Sequence, residues 1–140
     1  MELFSLKGRV IVITGAGGLL GRQHAEIIAK AEGIPILLDI NLELILKTSK
    51  DFNRKYGIDS SAYVVDITEE SEIQKNCEVI VNKYGRIDGL INNAANNPKI
   101  ENSGQKNFSR LENFSVLSWD KDLAVAVSYT HLRAHETRGN

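Results

Sequence analysis

The stretch Val10 to Gly21, V-I-V-I-T-G-A-G-G-L-L-G, constrains this chain more than any other. A β-branched apolar run ends at Thr14-Gly15, a glycine cluster follows, and a helical pattern begins near Leu19. A strand that stops at a Gly-rich turn and feeds a helix builds an anion site. Glycine lets the backbone approach a pyrophosphate, and the N–H groups of the first helical turn point at it. Such a turn close to the N-terminus predicts that the chain opens with a dinucleotide-binding unit. The spacing is not G-x-G-x-x-G, because Gly15 and Gly17 would require a glycine where Leu20 stands. It is T-G-x-x-G-x-x-G, through Gly15, Gly18 and Gly21. For the turn taken alone, a Gly-rich connection without a ligand is the competing reading.

The apolar periodicity downstream supports the first reading. It predicts strands over Val10–Thr14, Ile34–Asp39, Ala62–Val65 and Gly89–Asn92. Helices alternate with them: one over about Leu19–Ala31 with Leu20, Ile27, Ile28 and Ala31 on one face, and one from an Asn41 cap to Gly57. A third carries Ser71-x-x-Gln74 as a capping box and Ile73, Cys77, Val81 and Tyr84 as its buried stripe. The order βαβαβαβ with nearly continuous apolar strands predicts an α/β fold, a doubly wound parallel sheet with strand order 3-2-1-4. Residues 96–109 read as a long polar loop, and 115–127 as the start of another helix with Trp119 and Leu123 as core candidates.

Composition narrows the partners. The 140 residues are 42% hydrophobic and 25% charged, with net charge −1, which fits one domain with a core. No Lys/Arg block predicts nucleic-acid binding. No apolar run is long enough for a membrane span, and the first nine residues carry no signal-peptide h-region. Cys77 is the only cysteine, so no internal disulfide forms and a reducing, cytoplasmic setting is expected.

Three further features fall where a dinucleotide site needs them. Asp39 ends the second strand, where a carboxylate can accept both hydroxyls of an adenosine ribose and repel a 2′-phosphate. Its neighbour Ile40 and the turn residue Gly17 are not basic, so NAD is expected over NADP. Capping of the next helix is the competing role for Asp39. Asp66, followed by Ile67, ends the third strand at the carboxyl edge of the sheet and can hydrogen-bond an adenine amino group; a helix-start anion is the alternative. At the end of the fourth strand, Asn92-Asn93-Ala94-Ala95 offers small residues for close passage of a cofactor and Asn side chains to tie strand ends together. An Asn-rich turn is the plainer reading.

With these motifs in order, Leu6 to Val125 resembles the N-terminal half of a short-chain dehydrogenase/reductase. The resemblance rests on Thr14–Gly21, Asp39, Asp66 and residues 92–95, and implies a Rossmann-like fold and hydride transfer between a nicotinamide and an alcohol or carbonyl. It implies cofactor contacts from Gly15, Gly17, Gly18, Leu20, Gly21, Asp39, Ile40, Asp66, Ile67, Asn93, Ala94 and Ala95. It also implies a small-molecule substrate and a homo-oligomeric parent protein. The glycine spacing is that of the family's extended branch, whereas N-N-A-A and the short third-to-fourth-strand segment match its classical branch. Through G-L-L-G, L-L-D-I and N-N-A-A-N-N-P the chain resembles the members associated with bacterial surface-sugar or flagellin modification.

The family's chemistry needs a Ser and a Tyr-x-x-x-Lys, in which the Tyr moves the proton and the Lys lowers its pKa. Tyr56, Tyr63, Tyr84 and Tyr129 are followed four positions later by Ser60, Ile67, Asp88 and Arg133, so no such pair exists, and Ala126 stands where the classical catalytic Asn is expected. Arg does not replace Lys in this role. No catalytic residue and no metal site is therefore assigned, and the chain is expected to be inactive alone. His131 and His135, with Glu136, are two ligands and a neighbour, too few for a metal. Residues 1–127 read as the cofactor domain. Residues 128–140 match nothing expected of the next helix and strand, and resemble translated read-through at the end of a gene fragment. A non-catalytic nucleotide-sensing module is the rival function.

Overall fold

A computed structural model describes residues 4–96 and 115–128. The polar segment 97–109, the Tyr129–Arg133 pair and the His-containing tail lie outside the described residues. The chain divides between Ala94 and Ala95 into two units.

The first unit holds strands β1 (Val10–Thr14), β2 (Ile34–Asp39), β3 (Ser61–Val64) and β4 (Gly89–Ile91), and helices α1 (Leu19–Lys30), α2 (Leu42–Tyr56) and α3 (Glu70–Tyr84). The strands form one parallel sheet in the order β3-β2-β1-β4. β1 and β2 are inner strands covered on both faces, so their sequences are continuously apolar rather than alternating. On one face Ile13 and Leu37 pack with Ala25, Ile28 and Ala29 of α1 and Ile45 and Phe52 of α2. Val12, Ile36 and Leu38 point to the other face and are equally buried. The chain returns from β3 across the sheet to β4, and right-handed crossovers put α3 on that face. Pro35 pairs with β1 through Ile11, one residue before the β3 ladder begins at Ile36, where its missing N–H breaks nothing on that side.

Buried polar side chains fix the ends of the elements. Ser60 donates its hydroxyl to the Pro35 carbonyl at 2.6 Å, and its own N–H and C=O are taken by the Asn53 amide at 2.7 and 3.0 Å. At the start of β1, Asp88 accepts from the Val10 N–H at 2.9 Å, from Arg9 and from Arg86. The Arg86 guanidinium, with help from the Val10 N–H and Arg9, outweighs burial and holds the Asp88 carboxyl well below the usual carboxylate range.

Helix faces depart from the sequence reading in two places. On α1 the sheet-facing residues are Gly21, Ala25, Ile28 and Ala29, while Leu20 and Ile27 face solvent. A β-carbon at Gly21 would lie 2.3 Å from the Gly15 carbonyl oxygen, so α1 sits too close to β1 for a row of large residues. On α3 the buried row is Ile73, Asn76 and Ile80; a polar Asn at its centre hides it from a hydropathy pattern, and Val81 is exposed. The helix starts at Glu70 with no side-chain cap, so Ser71-x-x-Gln74 is not a capping box, and Gln74 bonds Glu70 instead. Asn41 likewise makes no side-chain cap to α2.

In the second unit, α4 (Val116–Leu123) is capped by Ser115, whose hydroxyl accepts from the Ser118 N–H at 3.1 Å, and a π-helical turn over Ala124–Ser128 follows. α4 buries no residue, so Trp119 and Leu123 are not core residues here.

Candidate functional site

The turn after β1 is the centre of the site, and its glycines serve different ends. Gly15 has φ +62°, and a β-carbon there would lie 2.7 Å from the Cα of Ala94. Gly15 and Gly21 therefore allow close packing of the turn, of α1 and of the segment after β4. Gly18 is the N-cap of α1. It offers no side-chain cap, and the first turn carries no acidic residue. The N–H groups at the start of α1 thus remain available to an anion, since the first turn of a helix has no internal acceptors for them.

Thr14 and Asn93 tie this turn to β4. The Thr14 hydroxyl oxygen accepts from the N–H groups of Asn93 and Ala94, both at 3.1 Å. The Asn93 amide nitrogen donates to the carbonyls of Thr14 and Gly15, both at 3.1 Å. The strand-tying role expected of an Asn in this stretch falls to Asn93, which leaves Asn92 exposed. Ala94 backs Gly15, and Ala95 belongs to the second unit, where it is exposed.

Asp39, at the end of β2, lies against the same turn. One carboxylate oxygen accepts from the Gly17 N–H at 2.9 Å, the other from the Asn41 N–H at 3.0 Å. Each oxygen keeps a second acceptor position. Ile40 beside it is 74% exposed and Leu20 is 60% exposed, two apolar side chains at the rim. A large aliphatic residue in water next to a carboxylate suits a ligand with a flat apolar ring and a hydroxylated sugar.

The turn after β3 is built by Asp66. One of its carboxylate oxygens accepts from both the N–H and the hydroxyl of Thr68, at 2.9 and 2.6 Å. The Asp66 N–H donates to Glu72 at 2.7 Å. Asp66 thus shapes the entry to α3, and among the described residues its other oxygen has no partner. Ile67 is buried, so its backbone is the only part of it that can meet a ligand.

The sequence reading missed a groove of about 310 Å³ beside Gly17, whose lining includes Arg22, Glu43, Leu44 and Lys47. The basic residues near the turn stand at neither position 17 nor position 40. Arg22, directly after Gly21, and Lys47, on α2, reach the neighbourhood of Gly17 through the packing of α1 and α2.

A Ser, a Tyr and a Lys also meet elsewhere. Ser61 Oγ lies 2.5 Å from Tyr84 Oη and 2.8 Å from Lys83 Nζ. Ser61 is the first residue of β3, at the amino edge of the sheet, opposite the edge that carries Gly15, Asp39 and Asp66. Burial pulls the Lys83 ammonium down, but its hydrogen bonds to Tyr84 and Asp59 prevail and keep it protonated. This group clamps β3 to α3; it is not the proton-transfer group of a site at the other edge. Among the described residues no cluster of His, Cys, Asp and Glu can hold a metal, and no helix is long and apolar enough to cross a membrane.

Comparison with known proteins gives the same fold. The model of the family described as short chain dehydrogenase matches residues 9–128. A diacetyl reductase ((S)-acetoin forming) of Staphylococcus epidermidis is 35% identical over 111 residues, which cover 77% of this chain and 42% of that protein. An NADPH-dependent 3-quinuclidinone reductase from Rhodotorula rubra superimposes with a TM-score of 0.81 at 28% identity, over 97% of this chain and 48% of its own. An NAD+-bound xylitol dehydrogenase does so with a TM-score of 0.80 at 26% identity, over 93% of this chain and 46% of its own. The chain spans about half the length of the relatives it matches.

Proposed function

Because the chain belongs to the short-chain dehydrogenase family, we propose that it is the NAD-binding part of an oxidoreductase acting on a small alcohol or carbonyl compound. The nicotinamide cofactor supplies or takes up the hydride. The residues present fit such a group: the glycine turn exposes backbone rather than side chains, and the start of α1 is left uncapped. The N–H groups of the first turn of α1, Leu20 among them, would hold the pyrophosphate side, with Gly15, Gly17, Gly18 and Gly21 shaping the turn beneath it. Asp39 and Ile40 would hold the adenosine ribose, Asp66 and the Ile67 backbone the adenine, and Asn93 and Ala94 would flank the nicotinamide half. With no Tyr-x-x-x-Lys in its sequence, this chain alone is proposed to bind without turnover.

Relatives named for NADP and for NAD share this fold, so family membership does not decide between them. The observation that favours NAD is the Asp39 carboxylate, whose two oxygens each accept one turn N–H and keep one acceptor position for a ribose hydroxyl. A 2′-phosphate there would meet a like charge. Calorimetric titration tests the preference. NAD should bind at least about tenfold tighter than NADP, equivalent to ~1.4 kcal/mol. Combining Asp39→Ser with Ile40→Arg should reverse that order. Tighter NADP binding by the wild-type chain would refute the assignment and direct attention to Arg22 and Lys47.

A further inference from the structure

Gly17 is a glycine for a reason its backbone does not supply. It is absent from the residues with positive φ, unlike Gly15 at +62°, so an L side chain is conformationally allowed there. Its own surroundings supply the reason. A β-carbon at Gly17 would lie 3.0 Å from the Asp39 Oδ2 atom, 3.2 Å from its Cγ and 3.4 Å from the Leu44 Cβ. The carboxylate is the part of that neighbourhood that can turn away, and turning would break the 2.9 Å bond it accepts from the Gly17 N–H. Asn41, holding the other oxygen, is two residues along the same segment and moves with Asp39; Gly17 is the contact that refers the carboxylate to the phosphate turn. The groove that begins at Gly17 is lined by charges of both signs, Arg22 and Lys47 with Glu43 and Asp51, so the Asp39 carboxylate is the charge that this contact fixes at the turn.

We infer that Gly17 is a positioning residue for nucleotide discrimination: its N–H and its missing side chain hold the Asp39 carboxylate where it selects a ribose diol over a 2′-phosphate. This rests on the reading of Asp39 as the ribose acceptor. Position 17 then tunes cofactor preference without touching the distinguishing phosphate.

The test titrates NAD and NADP calorimetrically into the chain and into its Gly17→Ala and Asp39→Ser variants, with a thermal melt of each. Gly17→Ala should weaken NAD about tenfold and NADP less than about twofold, so the NAD/NADP ratio falls severalfold, as expected for a misplaced charged acceptor. A glycine needed only for packing would lower the melting temperature and leave that ratio unchanged, which overturns the proposal. If Asp39→Ser narrows the ratio and Gly17→Ala does not, the positioning role fails and the Asp39 reading stands. If Asp39→Ser leaves the ratio unchanged, both fall. Should Gly17→Ala not fold, hydrogen exchange of the wild-type chain decides. The Gly17 amide should be protected and lose that protection in Asp39→Ala; an unprotected Gly17 amide in the folded wild type refutes the inference.

Discussion

Thr14→Val should be among the most damaging single-atom changes in this protein. Valine keeps the shape of threonine and replaces the hydroxyl by a methyl. The site is fully buried. The lost oxygen accepts two N–H groups, those of Asn93 and Ala94, at 3.1 Å each, and valine offers no substitute. A buried donor left without a partner costs about 1–3 kcal/mol; Asn93 and Ala94 are half-buried, so the two together predict a loss near the low end, about 2–3 kcal/mol. Against a net domain stability of about 5–15 kcal/mol this is a large fraction. Thr14→Ser is the matched control. It keeps the acceptor and loses one methyl, worth about 1 kcal/mol. Urea unfolding followed by circular dichroism would show a large fall in midpoint for Thr14→Val at unchanged slope, and a small one for Thr14→Ser. If Thr14→Val proves as stable as Thr14→Ser or more so, the two amides find other acceptors, and the Thr14–Asn93 stitch is not what holds the turn.

Two other outcomes follow from the same geometry. Asp88→Asn should destabilise the chain by about 1–3 kcal/mol at neutral pH, since Asp88 serves Arg86, the Val10 N–H and Arg9. Its carboxyl is held low in the folded state, so its contribution is full above its unfolded value near 4 and is lost progressively as pH falls through the much lower folded value; melts of both proteins across pH should begin to converge only below about pH 4. Gly21→Ala should cost about 3 kcal/mol, because its β-carbon would lie 2.3 Å from the Gly15 carbonyl oxygen, whereas Gly18→Ala, with its nearest contact at 3.4 Å, should cost under about 1 kcal/mol. Thermal melts of the pair check it.

The strands, the sheet order and the glycine turn were legible because each depends on a local rule. β-Branched runs between Gly and Asn signals mark β1 and β2, and one reversal of direction orders a four-strand parallel sheet. Helix orientation was less legible because packing distance overrides hydropathy. Leu20 and Ile27 look like core residues until Gly21 brings the start of α1 so close to the turn that the buried row becomes Gly21, Ala25, Ile28 and Ala29. Asn76, 6% exposed and with its side-chain oxygen unpaired among the described residues, conceals the α3 stripe. At the site, Asp39 could be found from its place after β2, but its bond to Gly17 could not, because it joins residues 22 positions apart through a backbone N–H that every residue possesses. Arg22 and Lys47 escaped notice for a related reason: two helices carry them to one groove, and no motif links their spacing.

The sheet order also dictates when the turn becomes rigid. β2 and β3 are met soon after β1 leaves the ribosome, since each pairs with the strand before it in sequence. β4 pairs with β1 across a separation typified by the Val10–Asp88 bond, 78 positions apart, and closing so long a loop is the slow, entropically costly step. Until β4 docks, Asn93 and Ala94 are not beside Thr14, and the glycine turn has no far wall. Among the four described strands, the last to pair therefore completes the turn at which nucleotide binding is proposed. A ligand gripping that turn would also fasten the strand behind it, so nucleotide should slow the undocking of β4 more than the opening of β2 or β3.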